Sequence, residues 1–162
     1  SYYGLNAFYF IDAQGKRQPV RWQLAPVDAP PAPEAGPRHD GDYLQADLQQ
    51  RLAHGPLRWR LLVTLGAPGD PTGDATRQWP ADRPVVDAGM VVITGSAAQE
   101  HGACRDVNYD PTVLPRGIAI SDDPLLPARS AVYAASYERR TSEGPPAGVP
   151  ASPATTQPER AQ

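Results

Sequence analysis

Cysteine is almost missing from this chain. Cys104 stands alone, so no internal disulfide can form and no CxxC metal site can be built. No block of lysine or arginine interrupts the sequence, and 15 basic against 18 acidic residues leave a formal charge of −3, which argues against a nucleic-acid-binding surface. No apolar run approaches the roughly 18 residues of a membrane-spanning helix. The opening SYYGLNAF lacks the basic-then-apolar pattern of a secretory leader and starts directly on a strand-like pattern, as if a preceding segment had been cut away. Compartment, periplasm or cytoplasm, is therefore left open. Long helical arrays are excluded by 20 prolines and 14 glycines, about a fifth of the 162 residues. What remains, at 40% hydrophobic and 20% charged residues, suffices for one core in one domain.

Periodicity then divides the chain. Residues 2–12 (YYGLNAFYFID) and 19–27 (PVRWQLAPV) read as two strands of a hairpin with its turn at 13–16. Residues 28–42 hold four prolines and no periodicity, a polar connection. Leu44, Leu48 and Leu52 recur every four residues and predict an amphipathic helix over 43–54, with Asp42 as its N-cap and Gly55 as its stop. Residues 57–66 read as a mostly buried strand, residues 67–80 as a turn region, and residues 85–95 as a second strand with Gly89 at a bulge. After a loop, Asp123 can cap a helix with Pro124 at its first position, running to Arg140 and ending in two cations that suit a helix C-terminus. The last stretch is equally simple: residues 141–162 carry five prolines and no aromatic residue, and predict a disordered tail behind a folded unit at 1–140.

The last helix holds the one constellation with chemical promise. Arg129 and Tyr133 are four residues apart and share a face, which Tyr137 and Arg140 continue. A guanidinium beside a phenol favours the phenolate, an anionic oxygen ligand of the kind that holds ferric haem. An Arg–Tyr pair at this spacing is equally an ordinary helix-surface contact, and spacing alone leaves both readings standing. Other residues offer less. His39, His54 and His101 lack partners at ligand spacing, Ser130 and Ser136 lack a neighbouring His–Asp arrangement, and GAPGDPTGD lacks the Lys-Ser/Thr of a phosphate loop. Trp22, Trp59 and Trp79 read as core or barrel-lining aromatics, and Cys104 as an incidental thiol.

The segment RGIAISDDPLLPARSAVYAASYERR resembles the proximal haem segment of the catalase family, with Gly117, Ile118, Ser121, Asp123, Arg129, Tyr133, Ser136 and Arg140 at matching spacings. The likeness extends upstream through YYGLNAFYFIDAQGK, the helix YLQADLQQRLAHG, Trp79-Pro80, the strand around Val91 and Tyr109-Asp110-Pro111, covering nearly all of residues 2–140. Two departures stand out. The family strand's histidine is Asn6 here, and the turn after the tyrosine is simplified to Tyr133-Ala134-Ala135-Ser136, as in compact catalase-related peroxidases.

The resemblance implies an α+β fold, an incomplete catalase-type antiparallel β-barrel with flanking helices, the last of them haem-bearing. It implies haem b as cofactor, Tyr133 as iron ligand, Arg129 paired with its phenolate, Arg140 reaching a haem propionate, and Asp123 supporting Arg129, a role that competes with simple helix capping. Asn6 would add a neutral hydrogen bond to the same network. It assigns no catalytic residue to this chain: the distal His and Asn lie upstream of the matching segment in the family and are absent here. The implied activity is a haem peroxidase using hydrogen peroxide or an organic peroxide against a small-molecule electron donor. Two alternatives stay open: a non-enzymatic remnant or β-rich binding domain without haem, and a hydroperoxide lyase or isomerase on the same fold. Neither donor nor oligomeric state is specified.

Overall fold

A computed structural model describes residues 1–28, 43–97, 104 and 106–143. Its elements follow in the order β1 (Tyr2–Tyr3), β2 (Phe8–Ile11), β3 (Arg17–Pro26), α1 (Tyr43–Ala53), β4 (Leu57–Leu65), β5 (Val85–Ile93), β6 (Ile118–Ile120) and α2 (Leu125–Ser142). The strands form one open antiparallel sheet in the order β5-β4-β3-β2-β6, with β1 also pairing with β3. The expected α+β class and incomplete antiparallel sheet are thus what the chain adopts. Residues 29–42, which include the proposed Asp42 cap and His39, lie outside the described residues, as do His101 and the tail from 144.

The β2–β3 hairpin closes where the sequence places it. Asp12 accepts the backbone N–H groups of Gln14 (2.9 Å) and Lys16 (2.8 Å), and Gly15 takes the left-handed φ of 81° the turn demands. Cross-strand register then sorts the side chains. Ile120, Phe8, Val20 and Leu65 fall in one row, and Trp22, Val63 and Val86 in the next, on the same face. Arg21 and Thr64, then Ala25 and Arg60, fall on the other. Val20 and Val63 are buried, whereas Trp22, Val86 and Val91 on the same apolar face remain exposed. At the predicted bulge β5 skips from Leu61↔Gly89 to Leu62↔Asp87, and Gly89 adopts φ 130° while Asp87 accepts its N–H.

Four expectations need correction. The first predicted strand is broken: residues 4–7 leave the ladder between β1 and β2, so four residues oppose only Arg21 and Trp22 of β3. Residues 118–120, read as loop, form β6 against β2, because three apolar residues follow Gly117, whose φ of 91° turns the chain into register. The apolar stripe of α1 is not buried; none of its residues is. Finally α2 runs two residues past Arg140, to Ser142, where the Thr141 and Ser142 hydroxyls donate to preceding carbonyls and Arg139 pairs with Glu143. Of the three tryptophans, Trp22 lies on the apolar face with Trp59, while Trp79 lies under the Arg21 guanidinium, 4.7 Å from its ring, and donates to the Pro71 carbonyl.

Candidate functional site

The start of α2 is set by chain chemistry. Pro124 holds helical angles (φ −64°, ψ −16°), and the Asp123 carboxylate accepts the Leu125 N–H at 2.9 Å, relieving one of the orphaned donors of the first turn. Asp123 is only 2% exposed, so its second oxygen also needs a donor. That donor is the Asn6 amide, Nδ2 to Oδ2 at 2.9 Å. Capping and network membership are therefore one arrangement.

Asn6 in turn accepts from Arg129 Nη1 through Oδ1 at 3.0 Å, and Arg129 Nη2 donates to the Tyr133 hydroxyl at 3.4 Å, its carbon 5.7 Å from the ring centroid. A continuous chain of contacts runs Asp123, Asn6, Arg129, Tyr133. It is possible because the break after β1 carries Asn6 out of the ladder. Gly4 donates to the Trp22 carbonyl at 2.8 Å and lies against the indole so closely that a Cβ would stand 2.5 Å from it. Leu126 in the first helical turn and Ala7, the residue after Asn6, are both 0% exposed, and Ser121 is buried as well.

The turn region at 67–80 buttresses this junction from the polar side of the sheet. Thr72 donates to Asp122 at 2.7 Å and accepts from the Tyr9 hydroxyl at 3.3 Å. At Gly73 a Cβ would stand 2.9 Å from the Asp122 carboxylate, which would have to swing aside. Arg21 ties the turn down by donating to the carbonyls of Pro71, Asp74 and Arg77. Burial lowers the Arg21 guanidinium below its ordinary value, and the charges of Asp123, Asp70 and Asp74 oppose that fall. At the turn's base Arg83 grips Asp70 with two hydrogen bonds (2.7 and 2.9 Å), which with the Ala67 N–H holds the carboxyl down at about 2.

A second anchor lies a turn further along α2. Ser130 donates to Asp110, whose other oxygen accepts the Thr112 N–H and hydroxyl; these bonds, Ser130's first, lower the Asp110 carboxyl. Arg140 is not part of the Asn6 chain. It donates to Ser136 at 2.7 Å and to the Val107 carbonyl at 3.0 Å, which fixes the direction of its fork. Nearby, hydrogen bonding to the Cys104 thiol pushes the Tyr109 phenol up. His54 is spent locally, its Nδ1 against the Gln50 carbonyl at 2.8 Å.

Of the four site residues read from the sequence, Asp123, Arg129 and Tyr133 are brought together and Arg140 stands apart on the same helix. Sequence reasoning missed Thr72, Asp122 and the Asp110–Ser130 pair. The Asp-Pro-Thr turn at 110–112 was the available signal for the last. Helical spacing places Leu125, Arg129, Val132, Tyr133, Ser136 and Arg140 within one stripe of α2. Its two aliphatic members stay open, Leu125 at 50% and Val132 at 68% exposure, so the stripe pairs a phenol and two cations with uncovered apolar surface.

The chain matches the family model for catalase over residues 1–146. It is 40% identical over 146 residues to a catalase-related peroxidase of Synechococcus elongatus, covering 87% of this chain and 42% of that protein. To a catalase-related peroxidase of Mycolicibacterium paratuberculosis it is 38% identical over 143 residues, covering 86% and 45%. The chain thus spans less than half the length of these curated relatives. A bacterial catalase structure superposes with a TM-score of 0.69 at 23% identity, over 85% of this chain and 29% of that one, a likeness of fold. With that match running from the first strand through the whole of α2, the chain belongs to the catalase family.

Proposed function

We propose that this chain supplies the proximal side of a haem peroxidase site, with the Tyr133 oxygen as the group that would hold the iron. The observation that carries the reading is the Arg129 guanidinium held against the Tyr133 hydroxyl, on a helix stripe whose aliphatic neighbours are uncovered. The donor set suits haem b. Among the described residues no three His, Cys, Asp or Glu side chains form a metal cage. A metal held by one phenol oxygen would therefore bring its other ligands with it, as a porphyrin does. Bound there, haem would supply the two-electron reduction of a peroxide, hydrogen peroxide or an organic one, at the expense of a small-molecule donor.

The chain's own residues bind and orient. Arg129, one helical turn from Tyr133, donates a hydrogen bond to the phenol oxygen and sets a positive charge beside it. Asp123 holds that guanidinium in place through Asn6 rather than by touching it. Arg140, its fork set by Ser136 and the Val107 carbonyl, would meet a haem carboxylate as a charge-assisted contact. Leu125 and Val132 would cover an apolar ring. Proton movement between the two peroxide oxygens would fall to the distal His and Asn that the family carries ahead of the matching segment. The apolar sheet face, open at Trp22, Val86 and Val91, would be covered in the whole protein by the strands that complete the family's barrel.

Titration of the chain with ferric haem tests this. The expected result is a Soret band that saturates at one haem per chain and is lost in Tyr133→Phe and weakened in Arg129→Ala. Equal binding by Tyr133→Phe would overturn the assignment, and a wild-type chain that takes up no haem would favour the haem-free remnant instead.

A further inference from the structure

We propose that Ser130 is a positioning residue for Arg140: it latches the strap 107–110 to α2, and the Val107 carbonyl of that strap holds the guanidinium in its direction. The consequence for a ring carboxylate rests on the haem-ligand reading of Tyr133, whereas the latch is drawn from hydrogen bonds alone. Ser130 donates to one oxygen of Asp110, and the other oxygen accepts the Thr112 N–H at 2.8 Å and its hydroxyl at 2.7 Å. The Val113 N–H closes the same turn on the Asp110 carbonyl at 3.2 Å, and Pro111 disfavours a helical Asp110 ahead of it. A serine within a helix can turn its hydroxyl back onto a carbonyl of the preceding turn, as Thr141 and Ser142 do. Ser130 instead commits its hydroxyl to a residue 20 positions away.

Lengths along the chain agree with a strap laid against the helix. From Ser130 to Ser136, where Arg140 seats one nitrogen at 2.7 Å, is about 9 Å of helix axis. From Asp110 back to Val107 is about 10 Å of extended chain. The Val107 carbonyl accepts the other nitrogen of the same fork at 3.0 Å. The two anchors therefore stand three residues before and three residues after Tyr133, and the strap runs antiparallel to α2 past the level of the phenol. Val107 and Tyr109 are exposed, so burial does little to hold the strap. Its bonds to α2 set where the Val107 carbonyl stands, and with it one side of the Arg140 fork.

Two readouts separate a latch from mere packing. In the haem-free chain, 15N NMR of the Arg140 guanidinium is expected to show about two- to tenfold faster rotation in Ser130→Ala, the range set by loss of one hydrogen bond. Ser130→Thr keeps the hydroxyl and is expected to keep the wild-type restraint. Asp110→Ala cuts the latch from the strap side and gives the same loosening should Ser130→Ala not fold. The second readout compares ferric haem with its dimethyl ester, which has no free carboxylate. The wild type is expected to prefer haem, and Ser130→Ala to narrow that preference about two- to tenfold with its affinity for the ester unchanged. An Arg140 guanidinium as restrained in Ser130→Ala as in the wild type would overturn the proposal. So would equal weakening of haem and ester, or a wild type that holds the two equally. Should the wild-type chain bind no haem, the ligand reading of Tyr133 fails, and the guanidinium measurement alone decides whether Ser130 positions Arg140.

Discussion

The junction beneath α2 and the β4–β5 edge of the sheet invert the usual arrangement of polar and apolar groups. At the junction, a carboxylate, an amide and a serine are buried, and each has a partner. At the edge, β-branched residues of β5 lie open on both faces of the strand, with only Ile93 partly covered. Polar groups hidden and apolar groups bare teach that the two regions are differently complete. The junction is made wholly from segments within the chain, brought from residues 6 and 121–133 to one place. The sheet face is left uncovered by the described residues, and its open valines do little for the stability of the chain by itself.

That contrast can be broken in order of effect. Leu126→Ala removes the one large aliphatic side chain that is fully enclosed among the described residues, and is expected to destabilise the chain by about 2–5 kcal/mol in chemical denaturation. An effect no larger than that of Val91→Ala would erase the asymmetry. Asp123→Ala strands the Asn6 amide and the Leu125 N–H in a buried place, with an expected loss of about 1–3 kcal/mol. The exposed neighbour Asp122, truncated to Ala, is expected to lose less than about 1 kcal/mol, since its Thr72 bond is open to water. Equal losses at 122 and 123 would mean the junction is not the buried network described.

Acid sharpens the comparison from the buttressing turn. Asp70, with its folded value lowered from 3.8 to about 2 by Arg83, binds protons less readily folded than unfolded. Its stabilisation is present above the unfolded value and is lost as pH falls from about 4 toward 2. Asp70→Asn should flatten the pH dependence of unfolding in that window, and an unchanged slope would contradict the assignment. The smallest expected effect is at the open face. Val86→Thr and Val91→Thr should change unfolding free energy by less than about 0.5 kcal/mol. Light scattering should nonetheless show less self-association, because the patch they interrupt is already exposed.

Much of this was legible in the sequence, for reasons that differ by residue. The Arg129–Tyr133 pair and the Asp123 cap depend on local spacing, which a sequence displays directly. The β2–β3 turn announces itself through Asp12 and Gly15, and the β5 bulge through Gly89. What stayed hidden depends on partners distant in the chain. Asn6 enters the expected network only through the family resemblance, because its local strand pattern does not show the partners that take its amide, 117 and 123 residues away. Thr72 and Asp122 are 50 residues apart, and nothing local marks either. β6 is only three residues long, too short for a period, and is defined by its pairing with β2. The α1 stripe taught the opposite lesson: a helical period predicts a helix but not that anything will cover it.

The central claim is that the Tyr133 oxygen, backed by Arg129, is the atom that would meet the iron. Resonance Raman spectroscopy of the chain loaded with ferric haem, prepared with ring-deuterated tyrosine, examines that bond itself. Iron–phenolate modes that shift on labelling and vanish in Tyr133→Phe are the predicted result. Phenolate modes that persist in Tyr133→Phe, or a haem complex of the wild type with none, would contradict it.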